Sequence, residues 1–291
     1  MSVVAATGEF AAEILKGTPF AKMTGSGNDF VFFDGRDAAI SLLTSPDVIR
    51  AICNRNNGIG ADGIVVLEPA APWADARIHY YNRDGTPADL CGNATLCSTT
   101  MATELGLSSG GSIRLLTPTG EICGRMLDGM PEIDLQPVTE VQPIIGIDPV
   151  ADEQRVGFSI AGIPHVVVLC GDVNTVDLPI RGPLLRRHSA LGAAGANVNW
   201  VSPLGDGRWR YRTFERGVEG ETLACGTGAV ATAILLAKWQ LAASPVRLVT
   251  SSGRELTVAL AASGVPSGGY RPTLRGEGRV VFRGRIATLF G

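Results

Sequence analysis

Two segments of this 291-residue chain open alike, and that repetition limits what it can fold into more than any other feature. Cys91-Gly92-Asn93 begins one helix-like stretch, read over residues 91–107 and closed at Gly106. Cys225-Gly226-Thr227 begins another over 225–241, whose Ala229, Val230, Ala233, Ile234 and Ala237 fit a helix buried on most sides. Each follows a strand-like run and then a polar turn carrying acidic residues and glycine. The two cysteines lie 134 positions apart. That interval is too long for a solenoid period and fits duplication of a whole domain. A chain of this length also predicts about two domains. The expected division is an N-terminal extension over 1–18, a first domain over 19–134 and a second over 135–275. The join falls in the proline-spaced stretch 131–149, and strands within 276–291 are candidates to return to the first domain.

Strand signals dominate the rest. Phe30–Phe33, Ile64–Leu67, Arg77–Tyr81, His165–Leu169 and Trp209–Phe214 are short apolar or alternating runs that stop at turn residues. A hairpin is expected across 246–260, with a last pair of strands at 279–282 and 285–289. One further short helix is expected at Pro46–Cys53.

Composition excludes several function classes. Hydrophobic residues make up 45% and charged residues 18%, so two cores can form and disorder is excluded. The net charge of −3 comes without any basic run, so no footprint for nucleic acid exists. No apolar stretch reaches the roughly 20 residues a membrane span requires. The first 18 residues lack a secretory signal pattern, so a cytoplasmic protein is expected. Neither H-E-x-x-H nor paired C-x-x-C occurs, and no metal is expected. Gly58–Gly63 matches G-x-G-x-x-G, but it precedes a strand rather than a helix, against nucleotide binding. Lysine occurs only as Lys16, Lys22 and Lys238, none in a convincing Schiff-base setting. His79 reads as structural within its strand, and His188 as exposed.

Six cysteines are too few for a disulfide scaffold, and most should be small buried hydrophobes. Cys91 and Cys225 differ because each opens a helix. Unpaired N–H groups and the positive end of the helix dipole favour a thiolate there and receive carboxylates. The following glycine lets a ligand approach the backbone closely. Two such sites facing each other would grip one carboxylate. One thiolate would remove the α-proton while the opposite thiol returned a proton to the other face. Both cysteines are equally readable as buried residues at helix starts.

The motifs taken together make the chain resemble the diaminopimelate epimerase family, which inverts an amino-acid centre without pyridoxal. They are Lys22-Met23-Thr24-Gly25-Ser26-Gly27-Asn28-Asp29-Phe30, Gly58–Gly63, Asn82-Arg83-Asp84-Gly85, Cys91-Gly92-Asn93, Pro164-His165, Asn197-Val198-Asn199-Trp200, Glu215-Arg216-Gly217 and Gly220–Gly228, in family order over about residues 20–290. The resemblance implies an α/β (α+β) fold of two pseudo-symmetric domains. Each would be a mixed, largely antiparallel sheet wrapped around a central helix. It implies interconversion of LL- and meso-diaminopimelate in lysine and peptidoglycan precursor biosynthesis, no cofactor, a small amino-acid substrate and often a homodimer. Cys91 and Cys225 would be the acid/base thiols, assisted by His165 and Glu215. Gly92, Asn93, Gly226 and Thr227 would hold the reacting carboxylate, and Asn28, Asn82, Asn197 and Arg216 the distant end. An arginine suits a carboxylate there, because its planar fork pairs with both oxygens.

The chain departs from the family pattern in three places. Ile163 stands where the family usually has Asn. Ala94-Thr95-Leu96 lacks the family's second Gly and its Arg. One extra residue lies near Glu219. A polar specificity site that loses a partner can change its substrate. These departures leave open a racemase of another amino acid, such as histidine, on the same scaffold. A binding or redox protein cycling a Cys91–Cys225 disulfide is a third reading.

Overall fold

In a computed structural model, the described residues are 14–37, 39–88, 91–108, 110–264 and 268–289. Most of the expected extension, residues 1–13, lies outside them. The described chain divides into two units, one joining residues up to Ile133 with those from Glu277 onward, the other spanning Asp134–Gly276.

The first unit opens with β1 (Pro19–Gly25) and β2 (Asn28–Asp34), an antiparallel pair turning at Ser26-Gly27. Two short helices follow, α1 (Ile40–Leu43) and α2 (Pro46–Cys53). Then β3 (Gly63–Pro69) runs parallel to β2, and β4 (Ala76–Asn82) antiparallel to β3. Helix α3 (Gly92–Glu104) leads into β5 (Ser112–Thr117), which returns parallel to β4, then β6 (Gly120–Leu127) and β7 (Met130–Asp134).

The second unit repeats this route. Its strands are β8 (Val141–Gln142), β9 (Glu153–Ala161), β10 (Ile163–Cys170), β11 (Asn197–Pro203), β12 (Trp209–Glu215) and β13 (Gly220–Thr222). Between β10 and β11 lies α4 (Leu178–Arg186), and after β13 comes α5 (Gly226–Lys238). Strands β14 (Val246–Val249), β15 (Glu255–Ala262) and β16 (Tyr270–Arg275) close the unit. The register repeats as well. Ala76 pairs with Leu115 across β4 and β5, and Trp209 with Leu248, each 133 positions on, across β12 and β14. The last strand, β17 (Arg279–Arg285), belongs to the first unit and pairs antiparallel with β1.

Each unit wraps its sheet around one helix. Helix α3 packs on β1 through β6, and α5 on β9, β10, β11, β15 and β16. Helix α5 achieves this with an Ala-, Ile- and Leu-rich surface. Helix α3 is rich in hydroxyls, which would be costly to bury unpaired. They turn inward instead: Thr95, Ser98, Thr99 and Thr103 donate to the carbonyls of Cys91, Ala94, Thr95 and Thr99 at 2.8–3.0 Å. With its hydroxyls satisfied in this way, a polar sequence behaves as a core helix.

Three expectations are corrected. The helices end at Glu104 and Lys238, three residues early, because Gly106 and Gln240 adopt left-handed φ of 63° and 61° and stop them. No strand forms over 285–289 beyond Arg285, because Ile286 turns into the core at 4% exposure while its N–H donates to Thr18. His188 is half-buried rather than exposed, and its Nδ1 accepts the Ala190 N–H at 3.2 Å. His79 does carry a structural contact, with Nε2 3.0 Å from Glu68 Oε2.

Candidate active site

Both singled-out cysteines are the N-cap residues of their helices, with nearly superimposable backbones: φ −131° and ψ 114° at Cys91, φ −131° and ψ 111° at Cys225. Their carbonyls accept the first helical bonds, from Thr95 and Ala229, each at 2.9 Å. The N–H groups of the next three residues in each helix have no partner within it. Neither helix has an acidic residue in its first turn to compete for those donors.

The second unit builds a connected polar network beneath Cys225. His165, on β10, is fully buried. Asn199, on the neighbouring β11, donates from Nδ2 to His165 Nδ1 at 3.2 Å and to the Val166 carbonyl at 2.9 Å. An amide nitrogen only donates, so Nδ1 of the imidazole carries no proton and Nε2 does. Nε2 lies 3.1 Å from Thr227 Oγ1, which lies 3.5 Å from Cys225 Sγ. Donors therefore point toward the sulfur: imidazole N–H to Thr227, and Thr227 O–H to Cys225. Burial, helped by the Arg216 charge, pushes the His165 pKa down to about 3, so the ring stays neutral.

Glu215, at the end of β12, shares hydrogen bonds with Cys225 and Thr222. Burial raises its pKa despite those bonds, which makes it a better proton acceptor. Tyr211 Oη lies 3.0 Å from the Cys225 carbonyl and 3.1 Å from Asn199 Oδ1, which also accepts from Thr213 at 3.0 Å. Gly228 is obligatory here, since a Cβ would come within 2.3 Å of Tyr211 Oη and 2.4 Å of Asn199 Oδ1. Asn197 Oδ1 accepts the Arg216 N–H at 2.8 Å, while its buried Nδ2 makes no hydrogen bond.

The first unit brings Asn93 and Asn28 together, with Asn93 Nδ2 donating to Asn28 Oδ1 at 2.7 Å. Asn28 donates in turn to Asp62 at 3.1 Å. Asp29 is held by Arg55 at 2.8 Å and Lys22 at 2.7 Å. Burial alone would raise the Asp29 pKa, but these two cations lower it. Asn93 Oδ1 is buried and makes no hydrogen bond. Asn82, paired across β3 and β4 with Gly63 next to Asp62, closes its turn with Nδ2 donating to Thr86 Oγ1 at 3.1 Å.

Asn199, Tyr211 and Thr213 had no role assigned from sequence. Only the Asn199-to-Thr213 register and the parallel pairing of His165 with Asn197 reveal them. Cys53, Cys97 and Cys170 are poor candidates for acid/base work. Burial raises Cys53 and Cys170 to about 12 and Cys97 well above its usual range. Among the described residues, no group of three or more His, Cys, Asp or Glu side chains is placed to hold a metal. Among the described residues, no helix is long and apolar enough to cross a membrane.

The departures from the family pattern separate spatially. Ala94 and Leu96 are core residues at 2% and 0% exposure, so they pack the helix. Ile163 is 38% exposed at the start of β10. Glu219 adopts φ 54° and is clamped by Arg186 and Arg187 at 2.9 and 2.8 Å, which absorbs the extra residue in a surface turn.

Known proteins resemble this chain over most of its length. The family model described as "Diaminopimelate epimerase" matches residues 20–130 and 158–265. A diaminopimelate epimerase of Gemmatimonas aurantiaca is 62% identical over 276 residues, covering 93% of this chain and 99% of that protein. One from Aquifex aeolicus is 36% identical, covering 82% and 88%. Among solved structures, a hydroxyproline epimerase from Agrobacterium vitis has TM-score 0.65 at 16% identity, covering 93% and 92%. A Bacillus anthracis protein of the PhzF phenazine biosynthesis family has TM-score 0.69 at 14% identity, covering 92% and 98%. At those identities the likeness is one of fold. Matched motifs in order, paired Cys-Gly helix starts and near-full-length identity converge, and the chain belongs to the diaminopimelate epimerase family.

Proposed function

We propose that this chain interconverts LL- and meso-diaminopimelate in lysine biosynthesis, with Cys91 and Cys225 as its two acid/base thiols. The observation that carries the reading is the pair of cysteines capping helices with matching φ and ψ. In one direction Glu215 takes the Cys225 S–H proton, and the resulting thiolate removes the substrate's α-proton. The Cα–H electron pair stays on carbon as a carbanion, delocalised into the α-carboxylate. Cys91 S–H then protonates the opposite face, and the reverse direction exchanges the roles. Thr227, backed by neutral His165, stabilises the Cys225 thiolate by donation without adding a positive charge.

The N–H groups at Gly92, Asn93, Gly226 and Thr227 receive the α-carboxylate in this reading. The partnerless Asn93 Oδ1 and Asn197 Nδ2 are an acceptor and a donor available to the substrate. Arg216, with Asn28 and Asn82, addresses the distal end. A cytoplasmic location keeps both thiols reduced. A homodimer is part of the reading, supported by Val281 and Phe282 on β17, exposed at 49% and 47%. Sedimentation velocity of Phe282→Asp against the parent protein tests it, and an unchanged monomer in both ends it.

Incubation with LL-diaminopimelate in heavy water should give the meso isomer with deuterium at Cα. Cys91→Ser and Cys225→Ser should each lose at least about a hundredfold in turnover. Meso product without deuterium, or full activity in either variant, refutes the two-base mechanism. A racemase of another amino acid, which Ile163 motivated, is disfavoured by the 62% identity to a diaminopimelate epimerase. Chiral chromatography of a single-enantiomer panel including histidine separates the two.

A further inference from the structure

The two units treat their helix-capping sulfurs differently. In the second, His165 pairs with Asn197, the first residue of β11, and donates through Thr227 toward Cys225. In the first, the corresponding residue is Phe30, which pairs with Gly63, the first residue of β3. Asn93 stands where Thr227 would be, directed to Asn28. The imidazole–hydroxyl chain is therefore missing beneath Cys91, and a different donor occupies its place. Tyr80, two residues before the end of β4, sets its ring edge-on to Phe30, with centroids 5.8 Å apart at 83°. Gly63 makes room for it, since a Cβ there would lie 2.8 Å from the ring and 3.3 Å from the hydroxyl. Tyr80 and Cys91 pack against the same core cluster, and the phenol shares a hydrogen bond with Cys91. The corresponding residue of the second unit, Thr213, gives its hydroxyl to Asn199 instead.

We infer that Tyr80 is a positioning residue for Cys91, its phenol O–H donating to the sulfur and stabilising the thiolate in the half that lacks the histidine–threonine chain. Burial, then the neighbouring charges of Cys91 and Asp62, keep the phenol protonated across the working range, so it remains a donor. The inference rests on Cys91 being an acid/base thiol, and the two are tested separately.

The test is the pH dependence of iodoacetamide alkylation of the full chain, read by mass spectrometry on the Cys91 and Cys225 peptides. A hydrogen bond to a charged group is of the strong kind. Tyr80→Phe should therefore raise the Cys91 midpoint by about one pH unit, an alkylation rate roughly tenfold lower below it, with Cys225 unmoved. Turnover should fall through kcat with KM little changed. 3-Fluorotyrosine at position 80 keeps the shape and acidifies the phenol, and should shift the Cys91 midpoint downward. An unmoved Cys91 midpoint in either protein, or equal shifts of both cysteines, overturns the inference. Full epimerase activity of Cys91→Ser would instead remove the acid/base role while leaving the alkylation result standing.

Discussion

His165 makes acid sensitivity a quantitative test of the buried network. Its pKa is about 3 in the folded chain, against an ordinary 6.5, because burial and then Arg216 disfavour the imidazolium. Between those values the unfolded chain binds a proton that the folded chain refuses. Stability supplied by this residue is thus complete above about pH 6.5 and is lost as pH falls toward 3. Three and a half pH units at 2.303RT each amount to about 5 kcal/mol, of which about 3 kcal/mol is gone by pH 4.5. His165→Gln removes the titration. At pH 7.5 the variant should be about 1–3 kcal/mol less stable than the parent, since Asn199 and Thr227 lose their fitted partner. By pH 4.5 that deficit should vanish or reverse. The assay is urea unfolding of both proteins at half-unit steps from pH 7.5 to 4.5, comparing differences so that titrations common to both cancel. Parallel stability curves would show that the imidazole is not held neutral by its surroundings, and the donor order drawn toward Cys225 would fall with it.

Other perturbations follow from particular contacts. Gly228→Ala should cost about 1–3 kcal/mol in unfolding free energy and lower kcat, because its methyl displaces Tyr211 and Asn199; activity and stability both at parental level would refute the close approach. Gln240→Gly should stabilise by about 0.5–1 kcal/mol at φ 61°, whereas Gly106→Ala at φ 63° should lose a similar amount with open space around it; matched thermal melts decide, and shifts of the opposite sign refute the helix-stop account. Arg181→Ala should cost about 2–3 kcal/mol, since it removes the cation bonded at 2.7 Å to Glu153, whose side chain is 4% exposed, and leaves that carboxylate to the Val150 N–H and the Trp200 indole; chemical denaturation measures it, and a neutral effect would mean that the pair is solvated.

The parts of the fold legible from sequence are those set by local periodicity and turn chemistry. Both cysteine-led helices, the Pro46–Cys53 helix and the apolar strand runs belong there. The helix ends are less legible, because Gln240 takes a left-handed conformation that its residue type does not signal, unlike Gly106. The absent 285–289 strand turned on the inward packing of Ile286, a tertiary choice. The same division holds at the site. Cys91, Cys225, His165 and Glu215 sit in recognisable local motifs. Asn199 and Tyr80 act across strands, so their meaning depends on which residues the sheet sets beside them. Asn82 sits in a local motif too, and one of its amide hydrogens holds its turn through Thr86.

The course of β17 bears on how the chain is made. Phe282 of that strand packs edge-on to Phe20, 6.0 Å between centroids, so the first sheet is completed by residues that follow the whole second unit in the chain. The intervening unit is one uninterrupted segment. During synthesis β1 therefore lacks its β17 partner until the whole second unit has left the ribosome, a delay that vectorial folding of a continuous N-terminal unit would not meet.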